Sequence, residues 1–408
     1  MVEGEAERRP TRAALARVLV GALPLQFAFG LVYSWGAVAP SVEREWHWTP
    51  LLVSAVFSAT PVGYGAGIVL GGRLADRLPP RRLCWSGLGL LAAGLTLALS
   101  FPSGATFIIA YSMLGLGFGG GLALAGSIAA ARQVLPDRAG AAGGLVTGAY
   151  AFAAPVQVPI ISLLAASMGW LPALRSLGLA MIGLGAVTLA AMPALPAPRP
   201  HPSGSAHPSL VALLRRPRLL TAILLEIAGT PLGAYAFVHA AAYAQALGLA
   251  AVVATTAITA VAIGNAAGRV AGGAVSDRLG VDRVLLAILL ADLAAAAVLF
   301  LGSGPASLVA GALLAGSAFG GCAGVIGRLA EDAAADAPNS AFGLLFAGFA
   351  VGAGPGSLLG ASVGGRHAWL VMGGLAGCGL LVVAWRLRLG RQVRVLGQHH
   401  EDQGQEDR

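Results

Sequence analysis

Residues 71–82 read GGRLADRLPPRR and residues 272–283 read GGAVSDRLGVDR. An offset of 201 residues superposes Gly71 on Gly272, Gly72 on Gly273, Asp76 on Asp277, Arg77 on Arg278, Leu78 on Leu279 and Arg82 on Arg283. The same offset aligns GLGFGGG (115–121) with GSAFGGC (316–322). An offset of 200 aligns Gly148 with Gly348 and Pro155 with Pro355. Three segments in nearly one register make the 408-residue chain two related halves, a plan common among membrane carriers.

Composition agrees. The chain is 57% hydrophobic and 11% charged, with a mean hydropathy of +0.78. A soluble domain carries about 25% charged residues, so a water-soluble enzyme, a nucleic-acid binder and a secreted disulfide scaffold are excluded. A membrane-crossing helix needs about 20 apolar residues. Such runs fall at 14–39, 50–72, 83–101, 105–131, 140–164, 170–193, 219–246, 250–275, 284–302, 305–327, 341–363 and 367–386. The first is too long for a cleaved signal segment. The expected fold is an all-α membrane protein of twelve transmembrane helices in two pseudo-symmetric six-helix bundles.

The net charge of +8 comes from arginine alone, since the 26 basic residues include no lysine. Arg8, Arg9, Arg12 and Arg17 precede or open the first run. Arg73, Arg77, Arg81 and Arg82 follow the second; Arg132 and Arg138 the fourth; Arg199, Arg215, Arg216 and Arg218 the sixth. Arg278 and Arg283, Arg328, and Arg386, Arg388, Arg391 and Arg394 continue the series, whereas the alternate loops hold only Arg44 and Arg366. Positive charge collects in cytoplasmic loops. This predicts a multi-pass protein of the plasma (inner) membrane with both termini cytoplasmic. The expected organisation is a tail at 1–13, a bundle at 14–193, a cytoplasmic linker at 194–218, a bundle at 219–386 and a tail at 387–408. The Pro- and Ser-rich linker is expected neither to span nor to pack. His399–His400 read as part of a solvated polar end.

The three cysteines, Cys84, Cys322 and Cys378, read as buried small hydrophobes, with no metal or disulfide implied. Without lysine no phosphate-binding GxxxxGK[ST] loop exists, so any transport draws on gradients rather than on ATP within this chain. No cofactor is expected, and the chain is expected to act as a monomer. Gly115, Gly117, Gly119, Gly120 and Gly121, with Gly316, Gly320, Gly321 and Gly324, form two small-residue faces. They suit either static close packing or a rocking interface.

Ionisable groups inside the runs point to function, because each costs about 2.5–3.5 kcal/mol at a helix centre. Arg175 stands near a membrane edge, where it reaches headgroups. Arg269 lies eight residues before Asp277, about 12 Å into the membrane. Asn265 shares its helix face. A guanidinium beside an amide is a bidentate site for a carboxylate. The matching residue of the first half is Ile68, so the charge breaks the repeat. The bland alternative is a salt bridge to Glu226 or Asp292. Those two carboxyls are in turn candidates for proton coupling or for pairing with Arg269. His239 is a further candidate titrating group, or a packing histidine.

The GxxxDRxxxxR loops, the span count and the central linker resemble the major facilitator superfamily over roughly residues 14–390. LPDRAGAAGG (135–144), FVHAAAYAQALGL (237–249) and GNAAGRVAGGAVSDR (264–278) are similar to its oxalate/formate-antiporter and monocarboxylate-transporter branch. The resemblance implies a gate in which Gly72, Asp76, Arg77, Gly273, Asp277 and Arg278 hold the cytoplasmic side closed. It also implies that Arg269 binds a carboxylate substrate. Phe349 stands where oxalate-transporting members place a lysine, so one positive charge suits a monoanion. Tyr33, Trp35 and Phe349 are expected as apolar pocket walls. The function expected is a gradient-driven transporter of a small organic anion, with a proton as possible co-substrate and the bilayer as surroundings. The alternative is an efflux pump of the same fold for an antibiotic or other lipophilic compound; AFAAPVQVP (151–159) lacks the glycine before proline usual there, although Gly354–Pro355 resembles it.

Overall fold

The computed structural model describes residues 12–197, 208–363 and 365–406, and the regular elements among them are helical. Eleven helices among the described residues are long and apolar enough to cross a membrane. They are Ala13–Ala39, Ala55–Ala75, Pro80–Ser100, Gly104–Val134, Pro136–Met168, Trp170–Ala191, Pro217–Phe237, Val252–Leu279, Val281–Leu301, Pro305–Ala333 and His367–Arg388. The 26-residue helix Pro338–Val363 stands in the eleventh place and, at 1.5 Å per residue, is about 39 Å long. These are spans one to twelve below.

The first six spans bury one core, with Phe29, Leu31, Leu95, Phe107, Tyr111 and Trp170 at its centre. The last six pack around Leu225, Leu289, Cys322 and Ile326, and around Tyr235 and Trp369 nearer the other end. The exterior is apolar as well: Leu163, Val187, Leu301 and Leu381 are each more than 70% exposed. A surface of that kind is matched to hydrocarbon rather than to water.

The glycine faces pack within each half. A Cβ on Gly121 would lie 2.4 Å from the Ile68 nitrogen, and one on Gly320 would lie 2.0 Å from the Asn265 carbonyl oxygen. Spans two and four, and spans eight and ten, thus touch backbone to backbone, and these faces lie inside each half rather than between the halves. The glycines between the halves are others. A Cβ on Gly273 would stand 2.1 Å from the Gly140 carbonyl, on Gly144 2.3 Å from that of Arg269, and on Gly72 2.3 Å from that of Asn339.

Spans one and seven are both interrupted at matching depths. The first passes through a 3-10 turn at Gly30–Tyr33. The seventh stops at Gly229 and restarts at Pro231, which has no N–H to continue the ladder. Span four is π-helical from Phe107 to Gly119, whereas its repeat mate, span ten, is α-helical throughout.

Several expectations are corrected. The linker does pack: a short helix, Leu210–Leu214, buries Leu213 completely. Pro208 is held by Arg73 (2.9 Å) and Pro196 by Gln133 (3.2 Å), both at the arginine-rich end of the bundle. The last helix does not end at 386 but continues to Glu406 through a stretch free of proline. Cys378 is exposed on span twelve, unlike Cys84 and Cys322. The arginines Arg8, Arg9 and Arg199 lie outside the described residues.

Candidate functional site

The halves are tied together at the arginine-rich end. Asp76, buried at the end of span two, accepts from the Ser340 backbone N–H (3.1 Å) and from the Ser340 hydroxyl. Asp277, at the end of span eight, accepts from the N–H groups of Gly140 (3.0 Å) and Ala141 (2.8 Å). Each carboxylate therefore caps the first turn of a helix in the opposite half, where backbone donors and the helix dipole both favour negative charge. Arg77 and Arg278, expected as partners, are exposed.

Arg132, which the sequence reading places in a loop, also joins the two halves. It is buried at the foot of span four, donates to the Gly327 carbonyl (2.8 Å) and Asn339 Oδ1 (3.3 Å), and lies over the Phe342 ring (5.6 Å to the centroid). Glu331 is 3.7 Å away. The available signal was its place at the end of an unbroken apolar run, before any turn residue.

Just beyond this closed zone lies Arg269. Its backbone carbonyl packs against Gly144, whereas its Nε donates to Asn265 Oδ1 at 3.1 Å, four residues earlier. Its guanidinium lies over the Phe349 ring, 5.8 Å from the centroid, and within electrostatic reach of the phenols of Tyr33, Tyr64 and Tyr150. Span eight thus carries one cation to the boundary between the halves, where its backbone meets Gly144 of the first half. Among the described residues no carboxylate lies within ion-pair distance of Arg269. Trp35 is no part of this wall. It donates to the Val53 carbonyl and packs against Phe107, Tyr111 and Trp170 inside the first half.

Glu226 and Asp292 are fully buried, and none of their carboxyl oxygens has a hydrogen-bond partner. Among the described residues they pair neither with Arg269 nor with any other cation; both act electrostatically on Cys322, whose thiol donates to the Gly229 carbonyl at 3.5 Å. The two acids thus sit in the core of the second half, Glu226 on span seven one turn before its interruption and Asp292 on span nine. Thr230, in that interruption, donates to the carbonyls of Glu226 (2.9 Å) and Phe349 (3.3 Å). His239 stacks on Tyr235 at 4.3 Å, higher on the same helix.

A family model described as Major Facilitator Superfamily matches residues 20–304. Among solved structures, the MFS transporter FucP in the outward conformation is similar at 17% identity and a TM-score of 0.71, covering 92% of this chain and 99% of that chain. The E. coli fucose:proton symporter FucP in a second structure gives 16% and 0.71, over 92% and 99%. The proton:xylose symporter XylE bound to 6-bromo-6-deoxy-D-glucose gives 14% and 0.70, over 91% and 95%. At these identities the likeness is one of fold. No curated protein matches the chain.

Proposed function

Given that the chain belongs to the Major Facilitator Superfamily, and is therefore a secondary transporter rather than an enzyme, we propose that it moves a small organic monocarboxylate by alternating access. The observation that carries this is Arg269. A guanidinium is charged at any physiological pH, and a buried charge needs a counter-ion. Arg269 has an amide and an aromatic face but, among the described residues, no acid within ion-pair distance. A substrate carboxylate supplies the missing charge, and Asn265 fixes the guanidinium so that its outer edge is presented as a fork. A neutral substrate such as a sugar leaves the charge uncompensated.

The two bundles, 14–193 and 219–386, act as the rocking bodies, with linker 194–218 between them. The arginine bias of the loops supports a cytoplasmic position for the joined end and for both termini, in the plasma membrane. The gate of Gly72, Asp76, Arg77, Gly273, Asp277 and Arg278, with Arg132, then keeps the cytoplasmic side shut while Arg269, Asn265, Tyr33 and Phe349 meet substrate from outside. Glu226 and Asp292 are the proton-coupling groups: among the described residues both are acids without hydrogen-bond partners in one core, and Glu226 stands one turn from the break in span seven, so a change in its charge bears directly on that hinge. His239, stacked on Tyr235, serves packing.

Monocarboxylate binding to purified Arg269→Lys and Asn265→Ala tests the reading. Lysine keeps the charge and loses the fork, so affinity should fall by roughly 10- to 100-fold, the value of one or two charge-assisted hydrogen bonds. Unchanged affinity in both variants would assign Arg269 to the scaffold and favour efflux of lipophilic compounds.

A further inference from the structure

Six rings form one continuous band, and Arg269 lies over one of them, Phe349. Centroid separations are 5.6 Å from Tyr33 to Tyr150, 5.7 Å on to Tyr64, 5.7 Å to Phe346, 5.1 Å to Phe349 and 4.8 Å to Phe319. The first three rings belong to the first half and the last three to the second, so the Tyr64–Phe346 contact bridges them. The middle of the band, Tyr64, Phe346 and Phe349, is buried, whereas Tyr33, Tyr150 and Phe319 are half-exposed at its ends. Aromatic residues make up only 6% of this chain, yet three of its six tyrosines are here. Elsewhere the halves meet through close glycine contacts, the two aspartate caps and Arg132, so ring–ring contact is not the general means by which the two bundles meet.

The arrangement has a chemical consequence. Arg269 lies over one ring of the band and within electrostatic reach of three others. An anion held by the guanidinium therefore lies beside Phe349, in a band that continues through Phe346 to Tyr64 of the other half. Ring quadrupoles favour a second ring set edge-to-face or offset over an aliphatic body of the same size. We propose that the transported anion is an aromatic monocarboxylate of the benzoate class, its carboxylate on Arg269 and its ring within this band. The proposal rests on the monocarboxylate reading and narrows it. A flat guest set against the Tyr64–Phe346 junction also contacts both bundles at once, which makes ring binding a signal for the halves to move together.

The test is calorimetric titration of the purified full-length chain with benzoate, cyclohexanecarboxylate and benzamide. Benzoate and cyclohexanecarboxylate share size and charge and differ in aromaticity; benzamide keeps the ring and loses the charge. Benzoate should bind about tenfold more tightly than cyclohexanecarboxylate, the expected yield of two ring–ring pairs. Tyr150→Phe should retain that ratio and Tyr150→Leu should reduce it toward one. Equal binding of the two acids overturns the aromatic class and leaves the carboxylate reading standing. Benzamide binding as tightly as benzoate overturns the carboxylate reading instead. Absence of binding by all three overturns both.

Discussion

Asp76 accepts the backbone N–H of Ser340 at 3.1 Å, 264 positions along the chain, and so joins the end of span two to the start of span eleven. Asp277 does the same for Gly140, the residue that the 200-residue offset aligns with Ser340. One device, a carboxylate capping a helix of the other half, is used twice in opposite directions. Opening this end of the bundle therefore requires two helix termini to lose their acceptors together.

Asp76→Asn removes the charge and leaves the size. Carboxylates at helix N-termini contribute about 0.3–1 kcal/mol, and up to about 2 kcal/mol where partly buried. The joined state should lose population several-fold. Spin labels at positions 82 and 283, exposed repeat mates in opposite halves, report this as a longer distance component. An unchanged distribution in both Asp76→Asn and Asp277→Asn would count against the two caps as the closing contacts.

Gly273→Ala should be more severe than either. The added Cβ would meet the Gly140 carbonyl oxygen at 2.1 Å and its carbon at 2.8 Å, and backbone atoms do not rotate away. The joined end should then fail to close, with the same label pair reading long distances. Gly89→Ala, where nothing lies within 4 Å, is the control and should behave as the unaltered chain.

Arg132 separates hydrogen bonding from ion pairing. Its bonds to the Gly327 carbonyl and Asn339 are buried, and a bond involving a charged group contributes about 1.5–3 kcal/mol. Its ion pair with Glu331 is long, at 3.7 Å, and Glu331 is 34% exposed, so that pair contributes little. Arg132→Gln should therefore lower the thermal midpoint by several degrees, whereas Glu331→Gln should barely move it. Equal losses would mean that the ion pair carries the interaction.

The span count, the repeat and the apolar exterior were legible because hydrophobic length and arginine placement are one-dimensional signals. The proximity of Arg269 and Asn265 followed from helical spacing alone. Three things were not legible. Whether Glu226 or Asp292 met Arg269 depended on how the helices are rotated about their axes, and a mean hydropathy hides rotation; both acids turn inward to Cys322. Which glycines serve the interface between halves was hidden for the same reason: Gly320 faces span eight of its own half, whereas Gly273 faces span five. Arg132 was taken as a topology marker because charge near a helix end reads alike whether it points to water or to a neighbour. The break at Thr230–Pro231 did have a signal in the proline, although only the structure aligns it with the 3-10 turn at Gly30–Tyr33.

Glu226 and Asp292 give the last prediction. Two carboxyls without hydrogen-bond partners in an apolar core are costly to keep, and amides of the same shape fill the space equally well. If the acids served only packing, Glu226→Gln and Asp292→Asn would leave every property intact. The place of Glu226 one turn from the interruption of span seven, where Thr230 bonds to the Glu226 and Phe349 carbonyls, with Asp292 buried in the same core, argues instead for a role in coupling. An amide cannot release a proton. Both variants should therefore keep carboxylate binding and exchange of labelled for unlabelled substrate, neither of which needs net proton movement. Accumulation of substrate against its gradient, driven by an imposed pH difference across proteoliposomes, should be lost. Uphill transport at the normal rate in the doubly substituted chain would remove both residues from the coupling step.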